Sequence, residues 1–361
     1  MGVLVHKDAA HPPETISSST GRRRGLLLQL EKVLVGRMTH DELAALAHHH
    51  GGYLLTRHLL ELGLSQRRIC SLTREGVLAR PRHGTYVPRG LWEHADAVQK
   101  HAILTRSVLE RADDGAVATH QSAAALLGLD LWGTDLSLIH LARTDGRSGR
   151  HIAGVVWHEP DLRADDVTIA AGVPTVLPSI AALQIAAFTG VEQGVVALSS
   201  ALRSRGTTEA ELGEQVARFR SWAGAETVRQ TVQLADGRLE SAGEARSFVM
   251  FWRHGTDLPD LQVIIVDGHG RRVGRVDFEW TADRHVGEFD GLIKYGRLNP
   301  HLQDPGLGIV EEKLREDEVR DTWRGVSRWG WVDLHWSNQA STVARIEAAR
   351  ARSRRLYLPV A

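Results

Sequence analysis

Glycines at Gly51, Gly52, Gly63, Gly76 and Gly84 cut residues 39–88 into pieces that leave room only for short elements. Residues 39–47 have helical spacing and enter through Thr39, with Glu42 three positions on completing a capping box; the Gly51-Gly52 pair stops the helix. Residues 53–55 form a short apolar step. Residues 57–62 predict a second helix ended by Gly63, and Ser65 caps a third over 66–75, which Gly76 terminates. Residues 77–80 and 85–88 alternate as a small hairpin around the His83-Gly84 turn.

Three short helices followed by a two-stranded wing is the order of a winged helix-turn-helix, a fold that lays its third helix in the DNA major groove. The charge distribution points the same way. The 361-residue chain has 44 basic and 44 acidic side chains, so no whole-surface attraction to nucleic acid or membrane is expected and any attraction must be local. Residues 65–89 hold six arginines, Arg67, Arg68, Arg74, Arg80, Arg82 and Arg89, against the single acid Glu75. Helical spacing puts Arg67, Arg68, Ser71 and Arg74 around one face, while Ile69, Leu72 and Thr73 turn toward a core. Arg80 and Arg82 place further charge on the wing, where phosphates or the minor groove would lie. Gln66, Arg67 and Ser71 are the candidates for base contacts, because arginine and glutamine read base edges bidentately. The bland alternatives are that these arginines only solvate a small helical domain, or that the domain docks a protein.

The runs Gly51-Gly-Tyr-Leu-Leu-Thr, Gly63-Leu-Ser-Gln-Arg-Arg-Ile, Leu72-Thr-Arg-Glu-Gly-Val-Leu and Arg82-His-Gly-Thr-Tyr-Val resemble the N-terminal winged helix of AbiEi-type antitoxins. Those proteins are transcriptional autorepressors of type IV toxin–antitoxin systems. His120-Gln-Ser-Ala-Ala and Gly172-Val-Pro-Thr are similar to the segment after the winged helix in that family. The resemblance implies DNA and a cognate toxin as partners.

The rest of the chain predicts an α/β, multi-domain protein. Residues 1–24, with Pro12, Pro13 and the Arg22–Arg24 run, read as a disordered tail. The winged helix takes 25–91, a central mixed α/β domain 92–235, a third domain 236–340, and a C-terminal helix or tail 341–361. Hydrophobic content of 42% and charged content of 24% suit packed cores. Cys70 is the only cysteine, which excludes intramolecular disulfides and a cysteine-rich zinc site. No apolar run reaches membrane-spanning length and the N-terminus has no secretory h-region, so no membrane is expected and a cytoplasmic location is.

Residues 241–252 read as a helix, 261–266, 273–280 and 286–291 as strands, 309–324 as a charged helix and 331–336 as a last strand. Asp277 sits in the second strand and Glu288 in the third, with Asp290 two positions on. If those strands are neighbours, their carboxylates converge, and convergent like charges call for a cation such as Mg²⁺. Glu244 is an even choice between contributing to that site and completing a capping box with Ser241. The order α-β-β-β-α-β resembles the PD-(D/E)xK nuclease superfamily, in particular its very-short-patch-repair-like, restriction-endonuclease-like branch. That likeness implies Asp277 and Glu288 as metal ligands and a lysine two residues later to orient water. Asp290 stands there instead, and Lys294 is a relocated candidate. His285 reads as a turn residue between the acidic strands.

The sequence therefore predicts a DNA-binding transcriptional regulator of AbiEi-antitoxin type carrying a nuclease-fold domain. The alternatives are an active Mg²⁺-dependent endodeoxyribonuclease targeted by its winged helix, and a module that neutralises a toxin by protein contact.

Overall fold

A computed structural model describes residues 39–112, 115–143, 150–159, 162–291 and 318–358. The expected tail at 1–24, Lys294 and most of the expected helix at 309–324 lie outside the described residues. The chain divides into two compact units, Met1–Ala95 and Asp96–Ala361.

In the first unit, α1 (His40–His49), β1 (Leu54–Leu55), α2 (Thr56–Glu61), α3 (Gln66–Arg74), β2 (Leu78–Arg82), β3 (Thr85–Pro88) and α4 (Arg89–His94) follow in order. The caps form as their residue types demand. Thr39 Oγ1 accepts from the Glu42 amide while Glu42 Oε2 accepts from the Thr39 amide at 2.7 Å, and Ser65 Oγ accepts from the Arg68 amide at 3.2 Å. A cap of this kind contributes about 1 kcal/mol. Gly63 and Gly76 end their helices at φ 80 and 78, where a side chain would be strained. The three strands pair in the order β1-β3-β2, antiparallel throughout. The β2 ladder shifts between Ala79 and Arg82, around Pro81, which has no amide hydrogen to donate. Leu43, Ala47, Leu54, Leu59, Ile69, Leu72, Leu78 and Tyr86 make the core.

The second unit is mixed α/β. It begins with α5 (Ala97–Leu109), β4 (Ala116–Ala118), α6 (His120–Leu127), β5 (Ile139–Arg143), β6 (Arg150–Ile152), β7 (Val155–His158), β8 (Val167–Ala170) and β9 (Val173–Val176). The strands form a six-stranded sheet in the order β6-β7-β5-β4-β9-β8, with β5–β7 and β4–β9 parallel. Four helices follow: α7 (Pro178–Thr189), α8 (Val191–Arg203), α9 (Glu209–Arg218) and α10 (Ala225–Leu234). α8 serves two cores at once. Ala197, Leu198 and Ala201 pack with the first sheet's side, whereas Val195 and Val196 pack with residues of the last part of the chain. Gly194 permits the approach of α7, since a Cβ there would lie 2.5 Å from that of Ala186.

The last part comprises α11 (Ala242–Arg253), β10 (Asp260–Val266), β11 (Arg272–Trp280), β12 (His285–Asp290), β13 (Gly325–Gly330) and α12 (Gln339–Tyr357). Its sheet runs β10-β11-β12-β13, with β12 and β13 parallel. Phe251 of α11 meets Phe278, Trp280 and Trp329 edge-on, and Val343 and Ile346 of α12 join the same core. Edge-to-face rings of this sort add to the area they bury. The last strand lies earlier than its sequence suggested: residues 331–336 form turns, held by the Gly330 amide on Asp333 Oδ2 and by Asn338 Nδ2 on the Val332 carbonyl, both 2.9 Å. Val332 and Trp336 are 74% and 80% exposed, so of the apolar residues that imitated a strand only Leu334 and, in part, Trp331 reach the core. Among the described residues, no helix is long and apolar enough to cross a membrane.

Candidate functional site

On α3, Ile69 and Leu72 are buried and Gln66, Arg67, Arg68 and Arg74 are exposed, the partition that helical spacing predicts. Arg80 on β2 is exposed and Arg82 half-buried. Glu75 modifies the picture. Arg68 Nη1 lies 3.0 Å from Glu75 Oε1, and the Ser71 hydroxyl donates to the same oxygen at 2.6 Å. The Ser71 hydrogen bond, then the Arg68 charge, hold the Glu75 carboxyl below its usual range. Ser71 and Arg68 are thus committed to an acid on their own helix end, whereas Arg67 and Gln66 project outward. On the hairpin, Arg80 Nη2 is 3.0 Å from His83 Nδ1, and its guanidinium stands 5.8 Å from the Tyr86 ring centre.

The acids predicted in the second unit meet only in part. β11 and β12 are antiparallel, and their pairing runs from Trp280 opposite His285 to Phe278 opposite Gly287, ending one residue short of Asp277 and Glu288. Asp277 Oδ2 accepts from the Phe289 amide at 2.9 Å, and Glu288 Oε2 lies 2.7 Å from Arg328 Nη2. Asp290 is half-buried, opposite Gly330 of β13. The pair offers oxygens of the chemistry a hard cation takes, but a backbone amide and an arginine already engage two of them. Among the described residues, the groups of three or more ligand-type side chains with donor atoms all within 4.8 Å of one another do not include these acids.

Ser241 caps α11, and the Glu244 carboxylate bonds beside it without closing the expected box on the Ser241 amide. Glu244 is buried; its Oε2 accepts from the Glu240 amide at 2.9 Å and Gln262 Nε2 at 2.8 Å, its Oε1 from the Ser241 hydroxyl at 2.7 Å, and Ser241 Oγ accepts the Glu244 amide. His285 is no turn residue. It is buried on β12, with Nδ1 and Nε2 each 2.9 Å from the hydroxyls of Ser353 and Ser327. Burial, followed by the nearby Arg350 charge, pushes its pKa down to about 4.

Three histidines that no motif singled out as functional converge on the first sheet of this unit. His120 opens α6, His140 lies on β5, and His158 ends β7, where parallel pairing brings it opposite Ala142, two residues along from His140. His140 Nδ1 and His158 Nε2 are 2.9 Å apart, and the His120 and His158 rings stack at 4.1 Å. Phe188 of α7 stands edge-on to all three rings. Burial lowers the pKa of each, for His140 to about 4, which favours the neutral form of all three rings. Sequence spacing carries no sign of this cluster, because its members sit in three segments joined only by strand order and register.

No family model matches the chain. Uncharacterised proteins from two strains of Mycobacterium tuberculosis are 30% identical to it over 223 residues, which is 61% of this chain and 79% of each relative. At that identity and coverage, the chain belongs to the same family as these mycobacterial proteins.

Proposed function

We propose that the protein is a DNA-binding regulator of the AbiEi-antitoxin type, working in the cytoplasm, whose first unit is a winged helix that lays α3 in the major groove. The observation that carries this reading is the exposed set Gln66, Arg67 and Arg74 on the outer side of α3, in the same small unit as the exposed Arg80 of the hairpin. Gln66 and Arg67, near the N-terminal end of α3, are placed to read base edges. Arg74, Arg80 and Arg82 supply phosphate contacts, which position without specifying. Because the chain is neutral overall, affinity depends on this patch and falls steeply with salt. Ser71 contacts a base only when Glu75 releases it.

Fluorescence anisotropy with a duplex carrying the protein's own promoter tests this. Binding should weaken with rising salt, and Arg67→Ala should cost roughly 1–3 kcal/mol, or about five- to 150-fold. Salt-independent binding, or none, overturns the reading.

The placement of Asp277 and Glu288 on the neighbouring strands β11 and β12, just past their last paired residues, favours a second reading, a PD-(D/E)xK-type endodeoxyribonuclease. In it those two acids, with Asp290, would hold Mg²⁺, which when bound supplies positive charge to the phosphate undergoing hydrolysis. Nicking of plasmid DNA in Mg²⁺ or Mn²⁺, abolished by Asp277→Ala, is the expected result. Intact plasmid under both metals removes it.

A further inference from the structure

We propose that His120, His140 and His158 form a binding site for a divalent transition ion of the zinc type, with one coordination position left to solvent or an exogenous ligand. Each residue offers a donor atom, and the three atoms lie within 4.8 Å of one another. Zinc–nitrogen bonds of roughly 2.0–2.1 Å in a tetrahedron set their nitrogens roughly 3.3–3.4 Å apart, so small side-chain movements suffice. The 2.9 Å contact between His140 Nδ1 and His158 Nε2 is what two imidazoles do when a single proton stands between their lone pairs. A metal ion takes that place, the displaced proton moving to the other nitrogen of the ring that carried it, and draws in the third ring.

Three further observations separate this from ordinary ring packing. His140 is fully buried between the other two histidine rings and Phe188, so its imidazole is held at the position a ligand would occupy. His120 holds a left-handed backbone, φ 51, a conformation that costs a non-glycine residue of order 1–3 kcal/mol and recurs at functional sites. The surroundings enforce it: Gln184 Oε1 accepts from the His120 amide at 3.0 Å, and Thr119 Oγ1 lies 3.1 Å from its Nδ1. Behind His140, the Ser122 hydroxyl accepts from the His140 amide at 2.9 Å and lies 2.8 Å from His101 Nε2. These bonds fix the backbone from which His140 projects; the outer contact that orients a ring of the cluster is that of Thr119 Oγ1 with His120 Nδ1.

The donor set decides the class of ion. Three neutral imidazoles suit zinc and its neighbours, whereas magnesium and calcium need oxygen. His158 is only half-buried, which leaves the cluster approachable, while the 59% exposed Phe188 shields the ring edges on one side. This is the pattern of three protein ligands with an open position.

Full-length protein stripped with chelator and titrated with Zn²⁺, then Co²⁺, tests the site by calorimetry and by the visible absorption of bound cobalt. One equivalent per chain is expected, with a raised melting temperature. His158→Gln and His120→Gln should each weaken binding by at least about tenfold, while the exposed His254→Gln binds as wild type does. Far-UV circular dichroism of the metal-free variants, matching wild type, shows that the loss is one of ligation. Absence of stoichiometric binding by the wild-type protein overturns the proposal, as does undiminished binding in both cluster variants.

Discussion

Arg328 Nη2 lies 2.7 Å from Glu288 Oε2 across the parallel pairing of β12 and β13, where the two residues are direct register partners. The Glu288 side chain is only 13% exposed, so Arg328 sets a positive charge against a largely buried carboxylate. Replacing it by Arg328→Gln should destabilise the protein by about 1–3 kcal/mol, less than a fully buried pair because the arginine is partly solvated. If the acids hold a cation, millimolar Mg²⁺ will raise the variant's melting temperature more than that of wild type. Thermal melts with and without Mg²⁺ decide it; a variant indifferent to the ion argues against metal at Asp277 and Glu288.

A second ion pair on this sheet is wholly structural. Arg324 Nε stands 2.8 Å from Glu279 Oε1, with side chains 18% and 4% exposed, and Arg324 Nη1 also donates to the Thr322 hydroxyl at 3.0 Å. Arg324→Ala leaves a carboxylate buried without its partner and should cost about 3–5 kcal/mol. Urea unfolding reads the loss directly, and a cost under about 1 kcal/mol would show that water reaches Glu279.

Gly243 lies under a ring. A Cβ added there would stand 1.9 Å from Cε1 of Phe289, whose ring is held edge-on to Trp331. Alanine improves helix propensity by about 1 kcal/mol, but the clash in α11 should win, with a net loss of about 1–3 kcal/mol for Gly243→Ala. Adding Phe289→Leu should recover part of that loss; strictly additive costs would mean that the two positions are not in contact.

Acid should weaken the fold through His285. Its pKa falls to about 4 in the folded chain from an ordinary value of 6.5. Above pH 6.5 the residue is neutral in both states and has no effect. As pH drops from there toward 4 the unfolded chain takes up a proton that the folded chain refuses, so stability is lost across that window, up to about 3 kcal/mol. His285→Gln should flatten the stability–pH curve between pH 6.5 and 4. An unchanged slope would assign acid sensitivity to other groups, His120 and His140 first.

The expectations met by the structure are those carried by local chemistry. Thr39 with Glu42 and Ser65 with Arg68 form their caps because donor and acceptor are three residues apart in the chain and need no distant partner. Residues 331–336 misled for the complementary reason: Val332 and Trp336 have strand-like composition, but what lies beside them is decided elsewhere, and the strand forms earlier, at Gly325–Gly330, next to β12. His285 looked like a turn residue because the hydroxyls that receive it, Ser327 and Ser353, belong to β13 and α12.

By itself the sequence determined where the capped helices at Thr39, Ser65 and Ser241 begin, which arginines share the face of α3, and that Asp277 and Glu288 lie on successive strands. The tertiary structure alone decided that Arg328 stands against Glu288, that Ser327 and Ser353 receive His285, and that His120, His140 and His158 meet. The physical reason is range. Caps and helix faces come from bonds and spacings within a few residues, whereas the histidine cluster requires β5 and β7 to pair in parallel with Ala142 opposite His158, and α6 to begin beside them. Strand order and register are set by the whole core, and no local stretch of the chain records them.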